Sequence, residues 1–128
     1  MEKHNAMVID VLSDHPEVRM VEIGDDWDEV RKELNDAFID TYYFKLPGYD
    51  VIFCALVDDC GRLFNLPVSA ITEKGNKVAL VGNIVITRFN DAGDTIDLSV
   101  RDVLHLMQNV YYYKVGNKET PILCNVIH

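Results

Sequence analysis

The chain has 128 residues, 48% hydrophobic and 26% charged, a globular composition that excludes a disordered protein and can supply one buried core. Its formal charge of −9 is uneven: residues 1–40 carry 12 acids against 4 bases, residues 41–128 carry 9 against 8. That balance argues against direct binding to nucleic acid or to an anionic membrane, because both attract basic surfaces.

The longest apolar run, Val51–Val57, is seven residues, far short of the roughly 20 of a membrane span. The start, "MEKHNAMVIDVLSDH", lacks the cationic and long apolar regions of a secretory signal, so a cytoplasmic location is expected. The odd set of Cys54, Cys60 and Cys124 fits a reducing compartment better than a disulfide scaffold. With no repeat and no Pro/Gly/Ser-rich linker, a single domain over 1–128 is expected.

In chain order, "AMVIDVL" and "EVRMVEI" are β-leaning runs around Ser13-Asp14-His15-Pro16, which predicts a hairpin. Trp27, Val30, Leu34, Ala37 and Phe38 recur at helical spacing, predicting a helix over 26–38 capped by Asp25 or Asp26. Its opposite side carries Glu29, Glu33 and Asp36. "FIDTYYFKLPG" and "YDVIFCALV" read as strands around Pro47-Gly48, the second apolar on both faces and so interior to a sheet. "RLFNLPVSA" and "KVALVGNIVITRF" are further strands, separated by Glu73-Lys74-Gly75-Asn76, and Gly82-Asn83 is placed to split the latter. "NDAGD" is a turn. A second helix is predicted over 99–111, with Ser99 and Asp102 as a capping box and Val100, Val103, Leu104, Met107, Val110 and Tyr111 as its buried stripe. The aromatic tail 111–128 is expected to pack on the body. The expectation is α+β: a mostly antiparallel, bent sheet of about five to seven strands with two amphipathic helices.

Asp58-Asp59-Cys60-Gly61 makes the strongest bid for chemistry, yet an Asp-rich segment ending in Gly is what a hairpin turn requires. Two neighbouring carboxylates would raise the Cys60 pKa, the opposite of nucleophile activation. Cys54 and Cys60 lack zinc-ligand spacing, and His4, His15, His105 and His128 are scattered. Asp91, Asp94 and Asp97 lack calcium-loop spacing, and no glycine pattern makes a phosphate cradle. No catalytic residue, metal ligand or cofactor site is therefore expected. Two binding readings remain. Asp25, Asp26, Glu29, Glu33 and Asp36 form a candidate docking face for a protein partner. Tyr42, Tyr43, Tyr49 and Tyr112 are candidate lining residues for a small ligand such as a nucleotide-like metabolite, closed by loops at 72–77 or 90–95.

The order "AMVIDV", "HPEVRMVEI", "DDWDEVRKELN", "IDTYYFKLPGYDVIFCALVDDCGRLFNLPVSA" resembles the phage and mobile-element family catalogued as domain of unknown function 3846. The likeness covers about 6–103, with Asp58–Gly61 as its acidic turn, Leu63, Leu66 and Pro67 as its "Leu-x-x-Leu-Pro", and Gly82–Ile86 as its Gly-x-hydrophobic strand. Val68-Ser69-Ala70 departs from it where the family carries Asn, and the aromatic extension 111–128 lies beyond it. The resemblance implies a bacterial cytosol and a phage or mobile-element gene, and no activity. The expected function is a non-catalytic accessory protein that binds another protein and modulates host defence; the alternatives are the small-ligand domain and an acidic DNA mimic. The sequence leaves the oligomeric state open, a homodimer being one option.

Overall fold

Ser13-Asp14-His15-Pro16 separates β1 (His4–Asp10) from β2 (Glu17–Ile23), which pair antiparallel along their whole length. Pro47-Gly48 joins β3 (Ile39–Leu46) to β4 (Tyr49–Asp58), with Gly48 supplying the turn's positive φ. The computed structural model describes residues 2–24, 26–34, 38–59, 65–73 and 77–128. The remaining elements are α1 (Asp28–Glu33), β5 (Val68–Thr72), β6 (Val78–Val81), β7 (Ile84–Phe89), β8 (Thr95–Ile96), α2 (Val100–Gln108), β9 (Val110–Val115) and β10 (Lys118–Val126).

The architecture is α+β and mostly antiparallel, as expected, but the strands divide between two sheets. One has the order β2-β1-β7-β4-β3, with β8 on β7; the other is β6-β5-β10-β9, in which β5 and β10 run parallel. The chain passes between the sheets three times, after β4, after β6 and, through α2, after β8. Gly82, at φ +73°, ends β6 and sends the chain from the four-stranded sheet into the six-stranded one; a Cβ there would lie 2.8 Å from Leu66 Cδ1. After β4 the chain crosses the other way. Among the described residues β4 pairs with β3 and β7, and β5 with β6 and β10, so Asp58-Asp59 opens a sheet-to-sheet connection and not a hairpin. Cys60-Gly61 and Lys74-Gly75-Asn76 lie outside the described residues.

Met7, Ile9, Phe53, Ala55, Ile84 and Ile86 on one face of the larger sheet pack against Ala70, Leu80, Leu123 and Val126 of the smaller. On the opposite face Ala6, Val8, Cys54, Leu56 and Val85 are covered by Val30 and Leu34 at α1. Burial on both faces explains the uninterrupted apolar runs, since each alternate residue has a layer to enter. Strand β4 is interior, as the sequence predicts; β7 flanks only its Cys54–Val57 half, and Ile52 beyond it is exposed. Lys45 and Ile127 exchange backbone hydrogen bonds of 2.8 and 3.0 Å, joining the free edge of β3 to the end of β10.

Both helices differ from expectation. Helix α1 has six residues, and Phe38 is 81% exposed, not buried; Ala37 lies outside the described residues. Trp27 stands at its N-cap in the left-handed conformation, φ 60°, while the Asp26 carboxylate accepts a 3.3 Å hydrogen bond from the Asp28 N–H. Helix α2 forms the expected Ser99–Asp102 capping box but ends at Gln108, and Tyr111–Tyr113 belong to β9. It buries Asp102 and Leu106, leaving Val100 79% and Leu104 57% exposed. The cause is Asp102: fully buried, its carboxylate accepts from Tyr49 Oη at 2.6 Å, Arg88 Nη1 at 2.9 Å and the Ser99 N–H at 2.9 Å. These donors come from β4, β7 and the helix's own cap, and they compensate the desolvation of the charge.

Burial opposes ionisation of Asp102 most strongly, but Tyr49, the Ser99 amide and Arg88 together hold its carboxyl below the ordinary value. A depressed native pKa gives stability that is present above the unfolded value and lost as pH falls through the native one. Acid titration of the fold is therefore expected to show a loss beginning below about pH 4. Asp102→Asn should lower stability at neutral pH by about 3 kcal/mol and remove that part of the acid slope. Denaturant melts of both proteins across the acid range measure each effect.

Candidate functional site

The expected acidic docking face is not a row of free carboxylates. Asp25 and Asp36 lie outside the described residues. Glu29 pairs with Lys3 at 3.0 Å; the Lys3 hydrogen bond holds its carboxyl below, and the lysine above, the ordinary values. Glu33 pairs with Arg19, whose guanidinium also reaches Asp10 at 2.9 Å. Asp10 accepts from the Leu12 and Ser13 amides, and Asn83 accepts from the Val11 amide at 2.8 Å and donates to the Glu33 carbonyl at 3.2 Å. Glu33 thus belongs to a polar tie joining α1, the β1–β2 hairpin and the Gly82-Asn83 crossover.

The candidate ligand-lining tyrosines do not converge either. Tyr42 stacks on His128 at 4.7 Å, Tyr43 is half-exposed, Tyr49 stacks on His105 at 3.8 Å, and Tyr112 lies on β9 of the other sheet. Tyr42 borders a cleft of about 310 Å³, but with Asp40, Asp58 and Asp59, whose charge opposes a phosphate. Burial pushes the Cys54 thiol up to about 11 and raises Cys124, so neither is a thiolate at neutral pH. Cys60 lies outside the described residues, among which no group of three His, Cys, Asp or Glu is placed to hold a metal and no helix is long and apolar enough to cross a membrane.

What the fold assembles instead is a cleft of about 530 Å³ between the start of the chain, the N-terminal end of α1 and the β7–β8 hairpin. Trp27, Phe89 and His4 supply aromatic walls, and Glu2 and Asp94 supply carboxylates. Local chemistry fixes each wall. The left-handed N-cap places Trp27 beside the apolar cluster of Val30 and Leu34, against which Phe89 also packs. The hairpin is shaped by Asn90, whose side-chain oxygen accepts from the Ala92 and Asp94 amides at 3.0 and 2.9 Å, and by Gly93 at φ +86°. Asp26, next in sequence to Trp27, is exposed and close enough to raise the Lys3 pKa. Carboxylates beside aromatic faces suit a cation, which gains from both charge and ring quadrupole.

Helical periodicity assigned Trp27 to a buried stripe, and Glu2, His4 and Asp94 carried no pattern, because the cleft gathers residues from 2 to 96. The usable signal was a lone Trp within an acidic run, Asp25 to Glu29. A separate apolar groove of about 320 Å³ runs between Met20 of β2 and Leu98, Val100, Val103 and Leu104 beside α2. Comparison with family models, with curated proteins and with solved structures finds no match to this chain.

The acids of α1 are therefore not equivalent. Glu33→Gln breaks the tie to Arg19 and should destabilise the fold by about 1 kcal/mol, whereas Glu29→Gln, which loses only the pair with the more exposed Lys3, should lower the melting temperature by less. Paired thermal melts at low and high salt measure the difference. Equal behaviour of the two variants would contradict the assignment.

Proposed function

We propose that this chain is a non-catalytic binding protein that docks a basic segment of a protein partner in the Trp27–Phe89 cleft. The observation that carries the reading is the cleft itself: aromatic walls from Trp27, Phe89 and His4, with Glu2 and Asp94 at its sides. An arginine or lysine side chain complements both features, stacking its stem or guanidinium on the rings and its charge on the acids. The carboxylates of Glu2 and Asp94 at the cleft, with the exposed Asp26 next to Trp27, would steer such a partner to it. The setting we infer, an accessory protein of a bacterial phage or mobile element acting in the cytoplasm on a host or element protein, rests on the sequence pattern of Asp58–Gly61, Leu63, Leu66, Pro67 and Gly82–Ile86 alone.

Trp27 is the chain's one tryptophan, so its fluorescence reports the cleft directly. Titration with hexa-arginine should change its emission saturably, with affinity falling steeply as salt rises. Glu2→Gln with Asp94→Asn should weaken binding about tenfold, or roughly 1.4 kcal/mol, without altering the melting temperature. No emission change, or an equal response to hexa-glutamate, would contradict the reading.

A further inference from the structure

Strand β9, Val110–Val115, is the outer strand of the four-stranded sheet, and Tyr111, Tyr112, Tyr113 and Val115 are each about half-exposed. Its hydrogen-bonding pattern can be derived from the register with β10. The pairs are Val115–Lys118, Lys114–Glu119, Tyr113–Thr120, Tyr112–Pro121, Tyr111–Ile122 and Val110–Leu123. Pairs of an antiparallel ladder alternate between hydrogen-bonded and non-hydrogen-bonded. Pro121 has no N–H, so Tyr112–Pro121 is a non-bonded pair, and the same parity holds for Val110–Leu123 and Lys114–Glu119. The N–H and C=O groups of Val110, Tyr112 and Lys114 therefore point away from β10, along an edge with which no described strand pairs.

Edge strands are normally blunted by charge, proline or shortness. Among the described edges, β2 carries Glu17, Arg19 and Glu22, β3 is joined in part by Ile127, and β6 has only four residues. Strand β9 has none of these protections beyond Lys114. It also lies in the stretch from 103 to 118, which contains no acid. In a chain of charge −9 most faces repel their own copies; this one does not.

We propose that β9 pairs antiparallel with β9 of a second copy about a two-fold axis at Tyr112. The register that uses every outward group sets Tyr112 against Tyr112 and Val110 against Lys114 of the copy, about six backbone hydrogen bonds in all. It places Tyr111 beside Tyr113 of the copy as a non-bonded pair, the closer kind, in which aromatic side chains meet. The two four-stranded sheets become one of eight. The contact is isologous and closes, so it stops at a dimer.

Sedimentation over a concentration series should show the wild type as a dimer that dissociates on dilution. Tyr112→Pro removes one outward N–H and leaves the β10 ladder untouched, as Pro121 does opposite; it should weaken association at least tenfold with an unchanged melting temperature. Tyr112→Cys tests the register independently. Opposed Cα atoms of a bonded pair lie about 5.5 Å apart, within disulfide reach, so this variant should cross-link on oxidation. Lys114→Cys, opposite Val110 of the copy, should not. A monomeric wild type, a Tyr112→Pro protein that dimerises as tightly, or equal cross-linking by Lys114→Cys would each overturn the proposal.

Discussion

A single buried carboxylate, Asp102, orients much of this molecule. It has no exposure, and its charge is compensated by Tyr49 from β4, Arg88 from β7 and the Ser99 amide at the cap of α2. Without them an ionised group at that depth would be expensive, so the helix can sit only where Tyr49 and Arg88 both reach it. That placement turns Leu106 into the core and Val100, Leu104 and Met107 outward, and it delivers the chain to the start of β9. It also pins the end of β7. Arg88 points to Asp102, and the next residue, Phe89, points to the opposite face, where it walls the cleft with Trp27.

The strands were legible where their signal was local. Pro47-Gly48 and Ser13–Pro16 are turns because of their own backbone preferences, and β4 is interior because both of its faces are apolar. The number of sheets was not legible, because Gly82-Asn83 reads the same whether it bends one sheet or passes between two. Helix α2 shows the limit most clearly. Its apolar periodicity points to Val100, Leu104 and Met107, but partners 14 and 53 residues away claim Asp102 and rotate the buried face by about one residue. A hydrophobic pattern cannot register a polar group that the fold will satisfy from elsewhere.

The candidate site was less legible than the fold. Counting acids located the charged end of the chain but could not tell free carboxylates from tied ones. Glu29 and Glu33 are tied, to Lys3 and Arg19, and the carboxylates at the cleft, Glu2 and Asp94, lie outside the helix. The proposed functions of the two ends then differ by charge: the acidic cleft suits a basic partner, while the acid-free β9 edge suits a second copy. A dimer joined through β9 would carry two clefts, and a partner with two basic segments would gain from the second as an intramolecular event.

If the Trp27–Phe89 cleft is the docking surface, a basic segment binds there and at no other surface. Amide chemical-shift mapping with hexa-arginine tests it most directly, because every surface is observed at once. Shifts are expected to concentrate at Trp27, including its indole N–H, and at Phe89, Asp94 and Thr95. Shifts centred on α2 and Met20, or spread evenly over the acidic residues, would contradict it.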